Sequence, residues 1–143
     1  MHKALLTVLL AMAACTALAS DAMISVTHAW IRLLPGNLPL AGYFDLRNTS
    51  GHMLVLVGAE STQFARIELH RSMEMQGMDH MIPVKDVEVA AGARMEFAPG
   101  GYHLMLFGPR HSLKVGERVT IVFRFAHGQS QAASFVMRPA VAQ

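Results

Sequence analysis

Beyond its first twenty or so residues, this chain offers no window with a sustained helical period between capping residues. It is built instead from short runs rich in β-branched and aromatic residues, each closed by turn formers. Residues 24–31, 41–48, 53–59 and 65–70 are the first four such runs, punctuated by Pro35-Gly36-Asn37 and Asn48-Thr49-Ser50-Gly51. Residues 84–89, interrupted by Lys85-Asp86, then 94–97, 102–107, 118–125 and 132–138 complete the set. Eight or nine strands in ~120 residues predict an all-β chain, an antiparallel β-sandwich or Greek-key barrel in a single domain. A core of that size folds without disulfides.

The strands are preceded by a different kind of segment. His2 and Lys3 lead into an apolar run over 4–14, and small residues follow up to Ala17-Leu18-Ala19. That order is expected of a secretory signal over 1–19, cleaved after Ala19, with the working domain over 20–143. The apolar run falls short of the ~20 residues that span a bilayer, so the mature domain is not expected to insert in a membrane. Met12-Ala13-Ala14-Cys15 loosely matches a lipidation motif, with Met where Leu is usual.

Removing residues 1–19 takes away the chain's one cysteine, Cys15, so the mature chain has neither a thiol nor a disulfide. It keeps nine methionines, seven histidines, and eleven Lys/Arg against ten Asp/Glu. A charge that small gives no footing for nucleic acid. No Walker, Gly-x-Ser-x-Gly or dinucleotide motif appears, and no carboxylates pair at acid–base spacing, so an enzyme is not expected.

What stands out is the distribution of soft ligands. From His70 the chain runs Arg71-Ser72-Met73-Glu74-Met75-Gln76-Gly77-Met78-Asp79-His80-Met81. Core methionines keep company with other apolar residues. These alternate with Glu, Gln, Gly and Asp, which predicts a loop whose thioethers are used as donors. Further on, His103 and Met105 are two apart on a predicted strand and so share one face, their Cα atoms ~7 Å apart. Thioethers and imidazoles suit Cu(I) far better than zinc, magnesium or calcium. A blue-copper electron carrier needs a cysteine ligand, which the mature chain lacks.

The spacing resembles that of a known family, the periplasmic copper chaperones called PCu(A)C: a histidine, ten residues, a methionine, twenty-one residues, then His-x-Met. Here those positions are His70, Met81, His103 and Met105. Ala29-Trp30-Ile31-Arg32, Ala41-Gly42-Tyr43-Phe44, Ile67-Glu68-Leu69-His70 and Pro99-Gly100-Gly101-Tyr102-His103 extend the similarity. The resemblance implies a cupredoxin-like β-sandwich and one Cu(I) per chain on those four residues. It further implies a periplasmic metallochaperone that delivers copper for cytochrome c oxidase assembly. The acceptor would be an oxidase subunit or a thiol-bearing assembly factor, and the chaperone itself a monomer. A copper buffer or resistance protein with no dedicated acceptor is the alternative. Some members carry a His/Met-rich C-terminal extension; the residues after Arg138 are not of that kind, so a second copper site there is not expected. Met73, Met75, Met78 and His80 are more than the motif requires; on a flexible loop, Met78 or His80 would stand in for a lost Met81. His28, His52, His111 and His127 read as surface or packing histidines, and Trp30 as a core residue.

Overall fold

The structure, a computed structural model, describes residues 23–141; the expected signal and Cys15 lie outside that range. Ten strands follow one another: β1 Ile24–Leu33, β2 Leu40–Asn48, β3 Leu54–Glu60, β4 Phe64–Met75, β5 Met78–Pro83, β6 Val87–Val89, β7 Arg94–Phe97, β8 Tyr102–Pro109, β9 Arg118–Phe125 and β10 Ser130–Pro139. One short 3-10 turn, Ala126–Gly128, is the only helical element among the described residues. The fold is all-β, as the short β-branched and aromatic runs predict. Its strand order is β5-β4-β8-β2-β1-β10-β9-β3-β6, with β7 also paired to β2.

On several strands apolar side chains alternate and turn to one side. On β9, Val119, Ile121, Phe123 and Phe125 are buried between exposed or half-buried neighbours. Leu104 and Leu106 on β8 and Ile67 and Leu69 on β4 are buried on the same side, although the neighbouring His103 and His70 are buried too. Phe44 of β2 stacks on Phe97 at 4.2 Å between ring centroids and meets Phe123 of β9 at 4.7 Å. Strands three places apart in a flat sheet stand ~14 Å apart. The sheet therefore curls over itself and encloses the core as a sandwich does.

Two features depart from the sequence reading. β1 and β10 pair in parallel, Trp30 opposite Val136, so the ladder is not wholly antiparallel. The expected methionine loop is a β-hairpin: β4 runs on to Met75, and β5 returns from Met78 with Met75 opposite Met78. Gln76 and Gly77, at φ 55 and 75, form its two-residue turn. Positive φ at both positions is what a tight hairpin of this twist demands, and glycine meets it at no steric cost. β8 keeps pace with β4 only as far as Tyr102 opposite Arg71. Beyond that point the hairpin is a two-stranded ribbon with solvent on both faces.

Candidate metal centre

Cross-strand register places the four expected ligands on one face. His70 of β4 lies directly opposite His103 of β8, and Glu68 opposite Met105. On the other side of β4, Ser72 lies opposite Met81 of β5. Directly paired residues share a face, as do residues two apart along a strand. His70, His103, Met105 and Met81 thus project to the same side, away from Leu69, Leu104 and Leu106 in the core. The two imidazole rings sit 5.8 Å apart, inclined by 50°.

The protonation of the two rings follows from their partners. His103 Nδ1 is 3.2 Å from the Gly101 carbonyl, which only accepts, so Nδ1 carries the proton and donates it. His70 Nε2 donates to the Glu68 carboxylate at 2.9 Å. In the neutral rings this leaves bare lone pairs on His70 Nδ1 and His103 Nε2. Those are the two buried side-chain polar atoms without a hydrogen-bond partner among the described residues. Buried polar atoms are nearly always satisfied, and leaving one bare costs ~1–3 kcal/mol. Two such nitrogens on facing strands, flanked by thioethers, fit a soft cation as their missing partner. Among the described residues no three His, Cys, Asp or Glu side chains converge, so the donors of a harder site are not assembled there.

The surroundings hold this donor set in place. His103 is 2% exposed and His70 7%. Burial pushes the His103 imidazole below its ordinary value; the Gly101 carbonyl opposes that shift and the neighbouring His70 adds to it. His103 therefore stays neutral, and able to bind, to lower pH than a free histidine. Glu68 is held below the usual carboxylate range, first by its hydrogen bond from His70 and also by Arg66, whose Nε lies 2.7 Å from Oε1. It is the residue that sequence reasoning missed. A carboxylate that fixes a ligand's tautomer is a recurrent support of metal-binding histidines. Its one trace in the sequence is its place two residues before His70, on the same face of β4, which is no motif by itself.

On the far side of His103 an aromatic wall closes the site. The Tyr43 ring is 6.3 Å from that of His103, and Trp30 is 4.7 Å from Tyr43. Arg32 and Arg138 lie over Trp30 at 5.8 and 5.3 Å. Trp30 is half-buried on this outer face, so the expectation that it fills the core is corrected. By contrast Met81, 56% exposed, leaves the opposite side open to an incoming molecule. His28 and His111 are occupied elsewhere, with Asp45 and Glu117.

Two measurements probe this arrangement. Protons compete with a metal for imidazole, whereas thioethers do not titrate. Cu(I) affinity should therefore weaken clearly between neutral pH and ~5. A competition titration at both ends of that range checks this; a flat profile would remove the imidazoles from the site. Glu68→Gln keeps an acceptor for His70 but loses the charge. Since Glu68 is partly exposed, the loss of Cu(I) affinity should be about tenfold, the low end for a supporting group.

Known proteins resemble this chain in sequence and in fold. A family model described as LpqE-like matches residues 24–137. Protein Lxx21020 of Leifsonia xyli subsp. xyli (strain CTCB07), named a lipoprotein, is 30% identical over 108 residues, 75% of this chain and 64% of that one. RP573 of Rickettsia prowazekii (strain Madrid E) is 34% identical over 86 residues, 59% of this chain and 48% of that one. The chain thus spans about half to two thirds of the length of these curated relatives. Apo-DR1885 from Deinococcus radiodurans superposes with a TM-score of 0.63 at 26% identity, over 97% of this chain and 94% of that one. CuI-DR1885 does so at 0.57 and 26%, over 77% and 74%. The apo PCuAC domain of PmoF2, at 0.69 and 20% identity over 85% and 94%, shares the fold.

Proposed function

Because the chain belongs to the LpqE-like family, that of the PCu(A)C copper chaperones, we propose that it is a metallochaperone carrying one Cu(I) on His70, Met81, His103 and Met105. The pair of bare imidazole nitrogens, His70 Nδ1 and His103 Nε2, carries this reading. Copper is cargo here, and the donors suit cargo: all four are neutral and none is a thiolate.

Their unequal burial gives an order of release. Met81 is accessible and sits on a ribbon anchored at one end only, whereas His103 is fixed between His70 and Tyr43. An acceptor thiol or imidazole displaces Met81 first, and the ion then passes from the buried histidines without ever being bare. No step in this sequence is catalytic, and the chain is read as a carrier and not an enzyme. In the same reading residues 1–19 are a signal that sends the domain 20–143 to the periplasm as a monomer. Among the described residues no helix is long and apolar enough to cross a membrane.

The acceptor we propose is a cytochrome c oxidase subunit or a thiol-bearing assembly factor. A deletion strain grown at low copper tests that destination. Loss of assembled oxidase, restored by added copper, is the expected result. Copper sensitivity with intact oxidase would make the protein a buffer instead.

A further inference from the structure

The ribbon beyond Arg71 has a second face, and the residues on it are not those of the first site. Glu74 pairs with Asp79 and Ser72 with Met81, which puts the acidic pair on the same side as the four ligands. Between them, on the opposite side, Met73 pairs with His80 and Met75 with Met78. Four soft, neutral donors thus occupy a two-by-two patch at the tip of the hairpin. Directly opposed side chains have Cβ atoms ~4.5–5.5 Å apart, and diagonal ones are within reach of long side chains. The unbranched methionine chain has three rotatable bonds with which to converge. The 76–77 turn, with both residues at positive φ, fixes the register that brings the pairs together.

Packing does not account for these methionines. Met73, Met75 and Met78 are 39%, 44% and 60% exposed, and none belongs to the core or packs against it. An exposed ribbon is ordinarily given polar residues on both faces. This one places its two carboxylates on one face and three thioethers with one imidazole on the other.

We infer that Met73, Met75, Met78 and His80 form a second binding site, for a soft monovalent cation of the Cu(I) class, on the reverse face of the hairpin. Thioether and neutral imidazole donors select that class. Solvent exposure and the ribbon's freedom make the site weaker than the first, so it fills second. The inference does not depend on the His70–His103 site, because the two donor sets point to opposite sides of the ribbon.

An anaerobic titration of the purified protein with Cu(I), followed by the methionine methyl resonances, tests it. The first equivalent should move Met81 and Met105, and a second should move Met73, Met75 and Met78. The Met73→Leu/Met75→Leu/Met78→Leu chain should keep the first equivalent and lose the second, and His80→Gln should weaken the second alone. In a His103→Ala/Met105→Ala chain the tight equivalent should vanish while the weaker one persists. A parent that saturates at one equivalent would overturn the inference. So would a second equivalent that survives both hairpin variants. Either result leaves the first site standing, and loss of the first site alone leaves the second.

Discussion

His103→Ala should lower the Cu(I) affinity by more than the ~10–100-fold that follows loss of a supporting group, since a ligand itself is removed. His103 supplies one of the two bare nitrogens and is 2% exposed, packed between His70 and Tyr43. Its face of β8 offers no replacement donor: the next residue on that side is Met105, already counted among the four. Met105→Ala should cost a comparable amount. Met81→Ala should join them, which revises what a flexible loop would have allowed. Met78 and His80 project from the reverse face of the ribbon, so they do not swing in for Met81. His28→Ala, His111→Ala and His127→Ala serve as controls and should leave the affinity unchanged. Competition against a Cu(I) chelator measures all six.

Phe44→Ala should destabilise the fold by about 3–5 kcal/mol, the usual cost of removing a fully buried aromatic ring. Phe44 is 2% exposed and touches rings from three other strands: Phe97, Phe123 and Phe135. It is the side chain that joins β2 to the far part of the curled sheet. Against a total stability of about 5–15 kcal/mol, that loss leaves a marginal protein. The thermal midpoint should fall by more than ~10 °C. A midpoint within a few degrees of the parent's would mean that the sheet does not close over Phe44. The effect reaches the candidate metal centre as well, because Phe44 anchors the strand whose preceding residue, Tyr43, walls in His103.

Much of this was legible from residue order. Strands show where β-branched and aromatic residues gather, as in the β9 run Arg118–Phe125, which alternates imperfectly in sequence yet buries every second residue. The hairpin was misread because both of its faces meet solvent. Met73 and Met75 do alternate with Glu74, but without a core beneath them the pattern resembles a polar loop. Trp30 was misplaced because size and apolarity predict burial without saying which side of the sheet provides it. The parallel pairing of β1 with β10 joins the two ends of the fold, and nothing local in either segment records a partner so distant. For the site, the four proposed ligands came from the resemblance to the family's motif. Glu68 did not, since a carboxylate that orients a ligand has no motif of its own.

Copper-edge X-ray absorption on protein loaded with one equivalent of Cu(I) tests the four-residue site most directly. One copper bound by two nitrogen and two sulfur scatterers, with a Cu(I) edge and with the sulfur count reduced in Met105→Ala, is the expected result. A shell of nitrogen and oxygen alone, or one unchanged in both His103→Ala and Met105→Ala, would contradict the assignment of His70, Met81, His103 and Met105.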